Sequence, residues 1–267
     1  MGWEVRCCPQ RVRSRGGHSR WSIDAASVRT ALVAEALRVA LAGRARIDPG
    51  AGLDIVDLGG GTGGFAVPLA VEGHRVTVVD PSPDALASLE RRASDEGVSK
   101  LVHGVQGDAA ELPGLAGESS ADAVLCHGVL EVVDDPAQAL QAMASVLREG
   151  GVLSLLVAQR NAVVLARALA GHLAEARVAL QDADGRWGPT DPMPRRFDEV
   201  GITGLLADAG FMVHTIHGVR TFTDLVPSAF VDSEPGAAEA LADLERSASQ
   251  HPAFRAIATQ LHILATR

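Results

Sequence analysis

From residue 53 onward, short apolar runs alternate with longer stretches whose apolar residues recur at helical spacing. The runs 53–58, 75–79, 101–106, 122–126 and 152–157 have the length and near-continuous apolar character of buried strands. Between them, 83–96 and 135–151 read as helices, the first opened by Pro83 and Asp84 and the second by Asp135 and Pro136. Such alternation predicts a doubly wound α/β fold: a mostly parallel, Rossmann-like sheet with right-handed crossovers and helices on both faces. Ahead of it, 27–41 sets Val28, Leu32, Leu37 and Leu41 toward one side of a helix, closed by Gly43 and the turn Asp48-Pro49-Gly50. After residue 159 the regularity breaks. Residues 161–180 are helical in pattern, whereas 182–196 is rich in Gly, Pro and Asp around Trp187, which predicts an insertion over about 159–196 covering the site. A helix over 197–209, a strand over 211–219, a polar excursion through 231–252 and a strand over 261–266 complete seven strands. No internal repeat is present.

At 267 residues, 47% hydrophobic and 21% charged, the chain suits one main domain over 23–267 with a substantial core. Residues 1–22 are different: Arg6, Arg11, Arg13, Arg15 and Arg20 face the single acid Glu4 without apolar periodicity, so a flexible arginine-rich arm is expected. The arm lacks the apolar centre of a signal peptide, and no run approaches the roughly 18 apolar residues of a membrane helix. Three cysteines at 7, 8 and 126 make neither a disulfide framework nor zinc-ligand spacing, so no metal is expected and a reducing, cytoplasmic setting fits. A net charge of -9 argues against broad, nonspecific nucleic-acid binding.

The candidate chemistry begins at the end of the first strand, where Asp57-Leu58 runs into six consecutive turn residues from Gly59 to Gly64, with Thr62 among the glycines. Glycines at such a turn let a ligand touch the backbone and permit positive φ without a β-carbon clash. Gly59, Gly61 and Gly64, with Asp80 about twenty residues on, satisfy the dinucleotide fingerprint, which leaves a nicotinamide oxidoreductase open as an alternative.

The spacing Asp57-x-Gly59-x-Gly61-x-Gly63, with Asp80 closing the second strand, Asp108 closing the third and Leu147 to Leu153 ahead of the fifth, resembles the motif set of class I S-adenosylmethionine-dependent methyltransferases. The resemblance implies S-adenosyl-L-methionine as cofactor. Gly59, Gly60 and Gly61 would then cradle its methionine part and Asp80 would accept hydrogen bonds from the ribose hydroxyls. Asp108 would contact adenine, and Asp57 would order the loop or approach the cofactor ammonium. Read without the family, Asp80 would be a helix cap and Asp108 a turn former.

Several stretches further resemble the bacterial tRNA carboxymethoxyuridine methyltransferases, which esterify the carboxylate of a modified anticodon uridine. They are Val28 to Leu32, Leu58 to Gly63, Cys126 to Glu131, Gly150 to Leu155 and, most specifically, Gly218-Val219-Arg220-Thr221-Phe222-Thr223-Asp224. This resemblance implies that Arg29 and His127 belong to the cofactor pocket. By residue type alone, Arg29 is a solvated helix face and His127 a core histidine. The implied partners are a methyl acceptor that is a tRNA anticodon or a small molecule. Against the tRNA, the insertion carries only Arg186, Arg195 and Arg196 as basic residues between 182 and 198, and aromatic residues amount to 3% with no Tyr. Stacking platforms are limited to a few side chains such as Trp21, Trp187 and Phe222. Methyl transfer from a sulfonium is an in-line displacement and depends chiefly on positioning. A carboxylate acceptor would need a cation, for which Arg220 is the candidate unless it forms a strand-end salt bridge. An uncharged acceptor would be helped by a base, for which His127 is the candidate.

Overall fold

The computed structural model describes residues 25–45 and 52–267. The expected arm, Trp21 and the turn at Asp48 lie outside these residues, as does the side chain of Arg29. Seven strands, β1 (Asp54–Leu58), β2 (Arg75–Asp80), β3 (Val102–Gln106), β4 (Ala121–His127), β5 (Leu147–Ala158), β6 (Met212–Val219) and β7 (Gln260–Thr266), form one sheet in the order β3-β2-β1-β4-β5-β7-β6. All neighbours pair in parallel except β7, which runs antiparallel to both β5 and β6. The strand order reverses between β1 and β4, the switch point where doubly wound sheets bind ligands beyond the strands' carboxyl ends.

Two cores flank the sheet. Leu37 and Leu41 of α1 (Ala25–Ala45), Val67 and Leu69 of α2 (Ala66–Val71) and Leu89 of α3 (Pro83–Asp95) close one face. The other is closed by Leu112 of α4 (Leu112–Ala116), Leu140 and Met143 of α5 (Pro136–Val146) and Ile202 and Leu206 of α8 (Glu199–Asp208). Prolines at the start of α3 and α5, capped by Ser82 and Asp135 respectively, begin these helices where the sequence places them.

Three expectations need correction. Residues 147–151, expected to end a helix, open β5, because buried Leu147 pairs with Ala121 and because Arg148 reaches Asp54 at 3.0 Å and Asp122 at 2.7 Å. The helical stretch 161–180 is two helices, α6 (Arg160–Leu169) and α7 (Leu173–Gln181), parted at Gly171 with φ 81°. The polar excursion 231–252 is largely helical: α9 (Ser228–Ser233) leads to α10 (Ala237–Ala248), which turns Leu241, Glu245 and Ala248 inward and lies beside α1, before α11 (Pro252–Arg255). Its polar composition masked a stripe at helical spacing.

Candidate active site

β1 delivers buried Asp57 and Leu58 to the carboxyl edge of the sheet, and the glycine turn follows at once. Gly59, at φ 71°, donates its N–H to Val79 O at 2.7 Å, and a β-carbon there would collide with Val129. A β-carbon on Gly60 would collide with the Asp57 carboxyl. The loop therefore lies flat on its neighbours with bare backbone facing outward. Asp57 Oδ2 is buried without a hydrogen-bond partner, and burial, reinforced by the nearby Asp80 charge, raises its pKa to about 7. A buried carboxyl oxygen left unsatisfied beside a glycine cradle fits a cationic group of a ligand.

Asp80 ends β2 with its carboxylate divided between two amides, Gly61 N–H on Oδ2 and Ser82 N–H on Oδ1, each at 2.9 Å. Ser82, not Asp80, caps α3. Asp80 thus sits across the glycine turn with lone pairs remaining for vicinal hydroxyls. Asp108, exposed at the end of the β3 segment, accepts the Ala110 and Glu111 amides through Oδ1 while Glu111 accepts the Asp108 amide, a reciprocal capping arrangement. Asp108 is therefore a turn former, and it also lines a cavity of about 310 Å³ with Gly59, Val79, Pro81, Val129 and Val133. The cavity, the glycine turn and Asp80 have the shape and donor set for an adenosyl group.

At the end of β4, His127 packs edge-on against Phe65 with ring centroids 4.7 Å apart. Its Nε2 lies 2.9 Å from Ser154 Oγ, and burial pushes its pKa down to about 4, so the ring is neutral at pH 7. Ser154 Oγ is also 2.9 Å from His262 Nε2. Glu131 is buried beyond His127, bonded through Oε1 to the Ala158 amide at 2.6 Å, and burial raises its pKa.

A second cavity of about 310 Å³ opens on the same edge, between α6 and the segments that end β6 and begin β7. Ala162, Val163, Leu165, Met193, Leu225 and Ile257 supply its apolar wall, and Gln159, Arg196, Thr221, Asp224 and Thr259 its polar points. Arg220, at φ 61°, is held by Asp224: Nη2 and Nε reach Oδ1 at 2.7 and 3.2 Å. The strand-end salt bridge weighed for Arg220 is thus present. Behind this loop, buried Glu245 accepts the Thr221, Phe222 and Thr223 amides and the Thr223 hydroxyl, at 2.7 to 3.0 Å. Arg196 grips fully buried Asp191 at 2.7 and 3.0 Å. Burial works to raise the Asp191 pKa, yet these bonds and the Met193 and Trp187 amides leave it lowered.

Of the sequence-predicted residues, Gly59 and Asp108 line the first cavity, Asp57, Gly60, Gly61 and Asp80 stand at the glycine turn beside it, His127 ends β4 on the same edge of the sheet, and Arg220 follows β6 next to the second cavity. Arg29 lies in α1 with its side chain undescribed. Sequence reasoning passed over Ser154, His262 and Glu245. Only Glu245 had a visible signal, as an acid in register with Leu241 and Ala248 on the apolar stripe of α10.

Comparison with known proteins adds to this geometry. Residues 56–155 match the family described as a methyltransferase domain. The chain is 29% identical over 218 residues to the tRNA 5-carboxymethoxyuridine methyltransferase of Escherichia coli (strain K12), covering 80% of each protein. It is 37% identical over 122 residues to a ubiquinone biosynthesis O-methyltransferase of Xanthomonas campestris pv. campestris (strain B100), covering 45% of this chain and 49% of that one. Among solved structures, a putative sarcosine dimethylglycine methyltransferase from Galdieria sulphuraria superposes with TM-score 0.58 at 16% identity, over 90% of this chain and 86% of that one, and shows the same fold.

Proposed function

We propose that this S-adenosylmethionine-dependent methyltransferase, whose residues 56–155 match a methyltransferase domain, transfers its methyl group to a small, uncharged acceptor held in the cavity under α6. The observation that carries the acceptor reading is the Arg220–Asp224 pair. The cation that a carboxylate acceptor would use is already neutralised, while the Asp224 carboxylate itself lines the cavity. Four of the six arginines of the cap support it. Arg160 bonds to Asp198 and to the Asp182 carbonyl, Arg167 lies 3.8 Å over the Trp187 ring, Arg195 donates to the Leu130, Val133 and Asp134 carbonyls, and Arg196 holds Asp191.

In this reading Gly59, Gly60 and Gly61 support the cofactor's methionine part, and Arg29 of α1 belongs to the same pocket. Asp57 faces its ammonium, Asp80 its ribose and Asp108 its adenine. When bound, the cofactor supplies an electrophilic methyl group. The chain's own work is to line up the acceptor atom with it and exclude water. Asp224, held by Arg220 and by the Thr259 hydroxyl at 2.9 Å, accepts a hydrogen bond from the acceptor's hydroxyl or amine and so aims its lone pair. The insertion over 159–196 acts as the cover. Cytoplasmic placement belongs to the same reading; among the described residues no helix is long and apolar enough to cross a membrane.

A second reading, esterification of a tRNA anticodon carboxylate, is favoured by the similarity to the Escherichia coli enzyme over 80% of each chain. Incubation with methyl-labelled cofactor and either bulk tRNA or an extract of small metabolites separates the two. Label in the small-molecule fraction alone is the expected result. Label in tRNA, together with a changed anticodon uridine in nucleoside mass spectra of a deletion strain, would replace the first reading with the second.

A further inference from the structure

Three neighbouring strands each turn one polar side chain onto the sheet face that carries α1: His127 from β4, Ser154 from β5 and His262 from β7. Ser154 Oγ stands 2.9 Å from the Nε2 of both imidazoles. A hydroxyl has one hydrogen, and Ser154 Oγ, fully buried, has no acceptor other than the two rings, so it donates to one ring and accepts from the other. One Nε2 must therefore carry a proton and the other must not.

The burial of His262 sets the direction. Its ring is wholly buried, and its Nδ1 has no hydrogen-bond partner. If Ser154 donated to His262, that orphan nitrogen would be an N–H donor; if His262 donates to Ser154, it is a bare lone pair. Either arrangement leaves one buried Nδ1–H without an acceptor, because the His127 Nδ1 is unpartnered as well. Such a donor is costly at His262, which is 0% exposed within β7, and is relieved at His127, which is half-buried at the carboxyl end of β4 where a ligand oxygen can reach it. The proton of His262 therefore sits on Nε2, Ser154 accepts it and donates onward to His127 Nε2, and the His127 proton is left on Nδ1. We infer that Ser154 and His262 are positioning residues that lock His127 as its Nδ1–H tautomer, so that it offers the carboxyl edge of the sheet a hydrogen-bond donor for a carboxylate oxygen. His127 Nδ1 is itself buried and unpartnered, beside Phe65 where the glycine turn enters α2. This reverses the role of base expected for His127, since the nitrogen left for a ligand holds a proton rather than a lone pair. The inference rests on the methyltransferase reading only for the source of the carboxylate, which is the cofactor's amino-acid end or, under the second reading with its anionic acceptor, the acceptor itself.

The test starts with long-range proton–nitrogen spectra of the full chain labelled with ¹⁵N-histidine and free of ligand, the two rings being assigned from His127→Asn and His262→Asn. A protonated Nδ1 on His127 with a protonated Nε2 on His262 is expected; the opposite pair of tautomers overturns the inference. Next, Ser154→Ala is compared with wild type for binding of S-adenosylhomocysteine and of methylthioadenosine, which lacks the amino-acid end. Weakening of the first by about 10-fold with the second unchanged assigns the carboxylate to the cofactor. Unchanged binding of both with a fall in turnover of the labelled acceptor assigns it to the acceptor. An unchanged His127 tautomer in Ser154→Ala, or no change in binding or turnover, removes the positioning role. Failure of wild type to bind S-adenosylhomocysteine would strike the methyltransferase reading and leave the tautomer result standing.

Discussion

A carboxyl oxygen of Asp57 fills the space directly beside the α-carbon of Gly60, and Val78 Cγ1 stands 3.0 Å from where a methyl group would go. Alanine at position 60 therefore forces a buried acid and a strand residue apart. Gly60→Ala is expected to cost about 1–3 kcal/mol of stability. Gly64→Ala, with nothing within 4 Å of the added methyl, serves as the control and should unfold at nearly the wild-type denaturant concentration.

The same acid carries a pH signature. Its folded pKa of about 7 exceeds the ordinary carboxyl value of about 4, so its contribution to stability is fully present below that lower value. The contribution is lost as pH rises through 7. Asp57→Asn should accordingly gain stability relative to wild type at pH 8 and little at pH 4. An ammonium brought beside Asp57 favours the ionised form, so affinity for S-adenosylhomocysteine should rise between pH 5 and 7 in wild type. A flat profile for Asp57→Asn in titration calorimetry would agree; an equal slope in both proteins would remove Asp57 from the ammonium site.

Asp80 joins the glycine turn to the nucleoside site through the Gly61 amide. Asp80→Ala leaves that amide without its acceptor and strips the carboxylate from the ribose position. With each charge-assisted bond contributing about 1.5–3 kcal/mol, affinity for S-adenosylhomocysteine should fall at least about 10-fold, read directly by calorimetry. Near-wild-type affinity would contradict the ribose assignment.

On the acceptor side, Asp224→Ala removes a hydrogen-bond acceptor from the cavity and releases the Arg220 guanidinium. Acceptor kcat/KM should drop by about 10-fold or more while cofactor affinity stays put. Arg220→Ala should have a smaller effect in the same direction, since it acts through Asp224. Steady-state kinetics with the acceptor found by labelling checks both. A larger loss for Arg220→Ala than for Asp224→Ala would favour an anionic acceptor.

How far these sites were legible depends on how local their causes are. The turn at Gly59 and the acids Asp57, Asp80 and Asp108 each stand at a strand end, and the strands announce themselves as apolar runs. Residues 147–151 were misassigned because their partners, Asp54, Asp122 and Ala121, come from distant parts of the chain. The helices within 231–252 were missed because α10 buries only a narrow stripe and takes its order from α1. Two pairings decide the chemistry of the acceptor side and of His127, Arg220 with Asp224 and Ser154 with His262. Sequence spacing suggests the first as neighbours four apart, whereas the second spans 108 positions and becomes visible only when β5 and β7 lie side by side.

The Arg148 bridge ties the beginnings of β1, β4 and β5 together through Asp54 and Asp122, at the end of the sheet remote from both cavities. Strand order is thereby secured where no ligand comes, and the opposite rim carries little responsibility for keeping the scaffold assembled. New acceptor chemistries can arise by rewriting the segments around α6 and Thr221 alone, with the cofactor half carried along unaltered.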